Sequence, residues 1–456
     1  MRLRLESRDM CEWSGLADLL ESFRLQIARG ESGKISPFLL LAMSGVSASE
    51  QRGCSELWMK DRQAASAADR DALAFTFSAA ARAKIRIGYL SCDFHEHATA
   101  LLLVEMFEAH DRARFELFAY SYGADDGKPM RPRLKAAFDH FIDIEALSNI
   151  DAARAIHADE IDILVDLKGF TMHTRTAILL FGPAPVQVNF LGYPGTLGES
   201  LCDYIITDPF LTPAASARDY SESFAYLPHT YQPHGRRALI GTAPTRTQAG
   251  LPEDGFVFCC FNQAYKITPE MFDIWCRLLI EVPGSVLWLL KNDKAEGNLK
   301  NEALWRGVTP DRLIFAKDLP QIEHLGRLQL ADLVLDTLPY NAHTTASDAL
   351  WAGVPLVTCA GDTFPSRVAG SILRAIGLGE LVAADLDGYF NVAHELAIDP
   401  ESLAKINAKL AANRLTTPLF DIEAYTRDIE GLYETMWRRY SGGEAPASIG
   451  AVPAPD

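Results

Sequence analysis

From Lys84 onward the chain alternates short apolar runs with stretches of helical spacing, and after one break it does so again. Ile85-Arg86-Ile87-Gly88-Tyr89-Leu90 reads as a strand. A helical stretch follows from about His97 to His110, and Phe115-Glu116-Leu117-Phe118-Ala119-Tyr120 reads as the next strand. Asp151 is placed to cap a helix running to Ala158, and strands are expected over 161–166 and 186–191. Residues 232–250 are rich in Pro, Gly and Thr and read as a linker. The alternation then restarts with a strand over 256–261 and a helix opened by Thr268-Pro269-Glu270, a cap followed by proline at the first helical position. Further strands are expected over 286–290, 313–315, 333–336 and 356–358. Such alternation builds parallel sheets whose faces are covered by the helices. The fold class expected is α/β: two Rossmann-like lobes facing a cleft, with an N-terminal helical segment.

In that segment Leu16, Leu19, Leu20, Phe23 and Ile27 recur at helical spacing, with Ser14 as cap and Gly30 as stop. The organisation expected is a helical leader over 1–83, a first lobe over 84–235 and a second over 251–420. An amphipathic helix over 421–441, marked by Tyr425, Ile429, Leu432 and Met436, is expected to pack across the lobes. Residues 442–456, full of Gly, Ala and Pro, read as a disordered tail.

Charge narrows the partners. The 456 residues carry 60 Asp and Glu against 43 Lys and Arg, a net charge of −17. So acidic a surface argues against nucleic acid or an anionic membrane as the main partner, and leaves room for one local basic site for a phosphate-bearing ligand. No apolar stretch approaches the ~20 residues of a membrane-spanning helix. The N-terminus has no apolar core followed by a small-residue cleavage site. The eight cysteines include no Cys-x-x-Cys pair and read as reduced, buried thiols of a cytoplasmic protein.

The most informative segment runs from Tyr340 to Pro355 and contains His343-Thr344-Thr345-Ala346-Ser347-Asp348. Thr344 or Thr345 caps a short helix, and Gly353 ends it. A helix start with two hydroxyls and an imidazole suits a diphosphate, and Asp348 is spaced to bind a ribose diol. An ordinary capped helix with a surface carboxylate fits the same residues. Lys266, in Phe261-Asn262-Gln263-Ala264-Tyr265-Lys266, follows a strand end where it meets phosphate or simply solvent; Gln263 reads a base edge or satisfies the loop. Asp93, His95 and His97 fit a metal site, a catalytic imidazole with its carboxylate, or a solvated loop. Gly192, in Gly192-Tyr193-Pro194-Gly195-Thr196, either approaches a ligand or turns the chain. Asp385-Leu386-Asp387 matches the Asp-x-Asp pattern of metal-dependent sugar transferases over three residues only, in a polar loop, and reads as chance.

Together these motifs carry a resemblance. Ile87-Gly88-Tyr89-Leu90-Ser91-Cys92-Asp93-Phe94, Leu191-Gly192-Tyr193-Pro194-Gly195-Thr196 and Asp203-Tyr204-Ile205-Ile206-Thr207-Asp208 are three parts of it. Phe261 to Ile267, Gln329-Leu330-Ala331-Asp332 and His343-Thr344-Thr345 are the others. Over residues 11–440 the chain resembles the catalytic region of the protein O-GlcNAc transferase (SPINDLY-like) family. The resemblance implies a GT-B fold and transfer from a nucleotide sugar without metal or other cofactor. It implies that Lys266 and His343-Thr344-Thr345 hold the UDP diphosphate and that Asp348 binds ribose. It further implies that His324 stacks near uracil, that Gln263 and Arg327 assist, and that Gly192 contacts the sugar. His97 and Asp93 correspond to the two groups discussed as catalytic base in that family. Three positions depart from it: Phe38 stands for a leader histidine, Ala98 for a proline after the active-site histidine, and Tyr340 for a small residue beside the N-acetyl pocket. No 34-residue repeat is recognisable over 12–80, and the leader resembles only the segment that joins the family's tetratricopeptide array to the lobes.

The function expected is an inverting, metal-independent transfer of a sugar, GlcNAc first among them, from UDP-sugar to Ser/Thr hydroxyls of proteins. Tyr340 keeps glucose open as donor, and N-glucosylation of Asn or modification of flagellin are the alternatives within the class. A metal-dependent hydrolase built on Asp93, His95 and His97, and a catalytically silent UDP-binding module, are the alternatives outside it.

Overall fold

Continuous runs of Val, Ile, Leu and Phe suit strands covered on both faces. The computed structural model describes residues 9–31, 36–78, 82–198 and 201–450. Within them the chain divides into two compact units. The first comprises Phe23–Leu40, Val46–Gly235 and Asp421–Asp456; the second comprises Met1–Ser22, Leu41–Gly45 and Arg236–Phe420. The passage after Gly235 falls inside the Pro-, Gly- and Thr-rich segment 232–250.

The first unit holds β1 (Ile85–Ser91), β2 (Phe115–Ser121), β3 (His140–Asp143), β4 (Ile163–Asp166), β5 (Val186–Asn189), β6 (Tyr204–Thr207) and β7 (Ser223–Tyr226). The second holds β8 (Val257–Cys260), β9 (Val286–Leu290), β10 (Leu313–Ala316), β11 (Leu333–Leu335), β12 (Leu356–Cys359) and β13 (Val382–Ala383). A last strand, β14 (Ile449–Gly450), returns to the first sheet beside β7. Among the described residues both sheets are parallel throughout, in the orders β14-β7-β6-β5-β4-β1-β2-β3 and β10-β9-β8-β11-β12-β13.

In the first sheet the chain builds β1, β2 and β3 in one direction, then crosses back to set β4 on the other side of β1. In the second it builds β8, β9 and β10, then crosses back to set β11 beside β8. The crevice beyond the carboxyl ends of strands at such a reversal is where open α/β sheets take their ligands. Register places the relevant loops together. Leu90 of β1 lies opposite Asp166 of β4, and Val334 of β11 opposite Cys259 of β8. The loops after β1 and β4 therefore leave one edge, as do those after β8 and β11.

Local chemistry explains where elements start, and three starts differ from expectation. The leader helix Leu16–Ala28 follows Gly15 in the left-handed region at φ +72°, so Ser14 is not its cap. The next, Ala48–Leu73, is opened by Ser47 and Glu50, which satisfy each other's backbone N–H groups in a capping box. Helix Asn149–Ala158 is capped by Ser148, whose hydroxyl accepts from the Asp151 N–H; Asp151 sits one turn inside, where its charge meets the helix dipole. Helix Thr344–Ala352 starts after His343, so neither threonine is the cap. The tail expected from Gly442 is ordered in part, because Ile449 and Gly450 pair with Ala225 and Tyr226 of β7; residues 451–456 lie outside the described residues. Helix Ile422–Ser441 belongs to the first unit and buries Tyr425, Ile429, Tyr433 and Met436. Its Glu430 accepts from His110 at 2.9 Å, and His110 meets the Tyr89 hydroxyl at 3.0 Å.

Candidate active site

In the second unit the polar residues gather where β8 and β11 part. Asp336 is the hub. Its carboxylate is buried and accepts from the N–H groups of Thr337 at 2.7 Å and Ala342 at 2.6 Å, and from the Thr358 hydroxyl at 2.6 Å. Asn262, just past β8, adds a longer contact at 3.3 Å and donates to Thr337 Oγ1 at 2.8 Å. These bonds fold the loop 337–343 back over the strand ends. Lys266, 8% exposed, enters that loop and donates from Nζ to the Asn341 carbonyl at 2.8 Å. Burial pushes its pKa down, to about 8, against the pull of Asp336.

The helix Thr344–Ala352 begins where this loop ends, and its first-turn N–H groups and dipole present positive potential. His343 is held neutral, its pKa far below the ordinary imidazole value because it is buried and close to Lys266. The Tyr340 ring lies with its face 3.9 Å from Lys266 Nζ and its centroid 5.1 Å from the His343 ring. His324 and Arg327 share one face of helix Gln321–Leu328, three residues apart, and Arg327 donates to His324 Nδ1 at 2.8 Å. Burial, then the Arg327 charge, lowers the His324 pKa, while Asp348 opposes both. Gln263 is exposed, at the start of the short turn Ala264–Lys266. Lys266, Tyr340 and His343 are thus brought into contact, and so are His324 and Arg327, with Asp348 acting on the imidazole.

In the first unit the loop after β1 carries Asp93, 5% exposed, and His97 caps the helix Ala98–Ala109. Nδ1 of His97 faces two partners: the Thr99 N–H at 3.2 Å and Asp93 Oδ2 at 3.4 Å. The same carboxylate oxygen receives Lys168 Nζ at 2.7 Å. Burial alone would raise the Asp93 pKa; the His97 and Lys168 charges outweigh it and hold the carboxyl below its ordinary range. Burial of its inner side lowers the His97 pKa, and Asp93 opposes only in part. His95 turns elsewhere, to Asp126 at 3.7 Å. Among the described residues no group of three or more His, Cys, Asp or Glu gathers as a metal site, so Asp93, His95 and His97 do not form the ligand set that their spacing allows. Gly192 answers to the backbone: a Cβ there would lie 2.1 Å from the Leu167 carbonyl oxygen. Asp385 of the Asp-x-Asp motif is a helix cap, accepting from the Gly388 N–H at 2.7 Å.

Two residues escaped the sequence reading. Asp336 was legible only as the end of a strand, and Lys168 only as a lysine two positions beyond the aspartate that closes β4. The Lys168–Asp93 pair is buried on both sides, with each side chain 6% exposed. Removing one member of such a pair costs ~3–5 kcal/mol because the other charge is left alone. Lys168→Met is therefore expected to lower stability by that amount in chemical denaturation. Adding Asp93→Asn to it should recover part of the loss. An unchanged transition midpoint for Lys168→Met would show that the pair is not closed in solution.

Two Rossmann-like units, each with its polar residues at the reversal of its own sheet, define the GT-B class of glycosyltransferases. The chain belongs to glycosyl transferase family 41, whose sequence pattern matches residues 63–240 and 236–429. It is 40% identical over 371 residues to a probable UDP-N-acetylglucosamine–peptide N-acetylglucosaminyltransferase, SEC, of Arabidopsis thaliana, covering 80% of this chain and 38% of that protein. It is 32% identical over 474 residues to the UDP-N-acetylglucosamine–peptide N-acetylglucosaminyltransferase of Caenorhabditis elegans, covering 79% and 41%. The chain thus spans about two fifths of the length of these relatives. A solved structure of a variant O-GlcNAc transferase from Thermobaculum terrenum superposes with a TM-score of 0.80 at 30% identity, over 89% of this chain and 76% of that one. HepE of Anabaena, solved with UDP and glucose, shares the fold with a TM-score of 0.52 at 13% identity, over 77% of this chain and all of that one. Among the described residues no helix is long and apolar enough to cross a membrane.

Proposed function

We propose that this chain transfers N-acetylglucosamine from UDP-GlcNAc to Ser or Thr hydroxyls of proteins, with inversion at the anomeric carbon and without a metal. The observation that carries this reading is the meeting of Lys266 with the start of helix Thr344–Ala352 at the β8/β11 reversal, a place built to receive a diphosphate. The names of the relatives, each a UDP-N-acetylglucosamine–peptide transferase, support the donor and acceptor classes. No membrane-spanning helix and eight free, buried cysteines among the described residues favour the cytoplasm as the compartment.

In this reading the acceptor oxygen attacks the anomeric carbon as the bond to the diphosphate breaks. The electron pair leaves with UDP. Lys266 and the first-turn N–H groups of Thr344 and Thr345 stabilise the charge that grows there, which is usually the largest single catalytic contribution and is the work a divalent cation otherwise does. Asp348, His324, Arg327 and Gln263 are assigned to ribose and base, and Gly192 to the sugar. The acceptor's proton passes to His97. Acceptance at Nε2 requires the tautomer that carries its proton on Nδ1, directed at Asp93; the competing tautomer gives Nδ1 to the Thr99 N–H. Asp93 itself is a poor base, being ion-paired and of lowered pKa.

Incubation of the purified protein with a panel of UDP-sugars and host lysate, read by intact-protein mass, tests the proposal. A mass increase of one N-acetylhexosamine from UDP-GlcNAc, equal with and without EDTA, is expected. A product formed only from UDP-glucose would replace the donor. Activity that EDTA abolishes and a divalent cation restores would end the metal-free reading.

A further inference from the structure

Tyr340 is 5% exposed, and the face of its ring rests on a buried ammonium. Lys266 Nζ lies 3.9 Å from the ring centroid, at the distance of a cation–π contact, and donates in another direction to the Asn341 carbonyl at 2.8 Å. The residue after Tyr340 thus supplies the carbonyl while Tyr340 supplies the aromatic face, so one short piece of backbone grips the ammonium from two sides. The ring is itself fixed: it stands edge-on to Tyr265 with centroids 6.2 Å apart, and the Tyr340 carbonyl accepts from Thr337 Oγ1 at 2.7 Å. We propose that Tyr340 is a positioning residue for Lys266, setting donor affinity through the lysine instead of selecting the sugar by contact. The inference rests on the reading of Lys266 as a diphosphate ligand.

The physical argument is one of competition for a proton. A buried ammonium loses its hydration, and burial drives Lys266 toward the neutral amine. A neutral amine attracts a diphosphate only weakly. The charged and titratable groups around Nζ are Asp336 from the end of β11, Cys260 from β8, and His343 at the helix start. Asp336 and Cys260 favour the charged lysine, and His343, held neutral, adds no positive charge. An aromatic face also favours the charged form, because the ring's negative quadrupole attracts the ammonium and not the neutral amine. Removing the ring should therefore do two things. It loosens the lysine, and it lets the ammonium discharge at lower pH.

Calorimetric UDP binding to the full chain, as a function of pH, tests this with Tyr340→Leu, Tyr340→Phe, Lys266→Met and the Lys266→Met/Tyr340→Leu pair. Tyr340→Leu is expected to weaken UDP ~2- to 30-fold, the range of a cation–π contact of ~0.5–2 kcal/mol. It should also move the alkaline fall in affinity to lower pH. Tyr340→Phe, which keeps the ring face, should retain wild-type affinity and pH dependence. In the Lys266→Met background Tyr340→Leu should cost nothing further. Competition between UDP-GlcNAc and UDP-glucose should show the same preference in wild type and in Tyr340→Leu. Equal losses from Tyr340→Leu with and without Lys266 would overturn the proposal, as would a changed donor preference with unchanged UDP affinity. If Lys266→Met alone left UDP binding intact, the diphosphate reading of Lys266 would fall first, and the proposal with it.

Discussion

His97→Ala should lose sugar transfer by ~10²–10⁴-fold, the usual cost of removing a positioned general base, while UDP binding is unchanged. The separation follows from the fold. His97 caps a helix of the first unit, whereas Lys266, His343, His324 and Asp348 all belong to the second. Single-turnover transfer and UDP calorimetry on the same preparation measure both halves. Asp93→Asn should lose rate as well, because an amide can donate to Nδ1 and so favour the tautomer that leaves Nε2 protonated and unable to accept. The sign of the pH dependence can be worked out. His97 must be neutral to act, and its pKa lies below the ordinary 6.5, so kcat/KM should rise with pH on a limb centred below 6.5. Near-wild-type turnover in His97→Ala would move the search for the base elsewhere.

Lys266→Ala should weaken UDP by roughly 10- to 150-fold, the equivalent of one charge-assisted hydrogen bond of ~1.5–3 kcal/mol. The lysine is a ligand only as an ammonium. Its pKa of about 8 in the unliganded protein predicts that UDP affinity falls as pH rises through that value, and that a bound diphosphate raises it. With the His97 limb, the rate profile becomes a bell whose alkaline side belongs to Lys266. Calorimetry across that range reads the effect directly. Lys266→Ala should show a flat alkaline side, and a profile that still falls there would assign the titration to another group.

The parts of the molecule that were legible in the sequence are those whose signals are local. Ile85–Ser91, Val257–Cys260 and Val286–Leu290 are apolar runs, and their strands lie where composition puts them. His140–Asp143 begins and ends on an exposed polar residue, with only Phe141 and Ile142 half-buried between them at the sheet edge, so it gives no such run. Ile449–Gly450 is a strand only because β7 has an unfilled edge beside it. The site divides in the same way. Lys266 and His343-Thr344-Thr345 announce themselves by following strand ends. Asp336 and Lys168 do not, because their partners Asn262 and Asp93 stand 74 and 75 residues away in the chain. Such a pairing exists only once the sheet order reverses. The resemblance sets Tyr340 beside the sugar, whereas its contact with Lys266 emerges only in the folded backbone.

The convergence of backbone and side-chain donors on Asp336 has a consequence for how fast and how tightly a donor is taken up. The loop between β11 and the helix Thr344–Ala352 is tied down from within, at Thr337, Ala342 and Asn341. In the proposed reading, a nucleotide arriving there meets a finished surface. Fixing the backbone of one residue costs ~1–2 kcal/mol, so a loop of this length that had to order itself around its ligand would forfeit most of the affinity its contacts provide. A preorganised loop keeps that affinity, and it removes a conformational step from association, leaving diffusion and charge attraction to set the rate of capture.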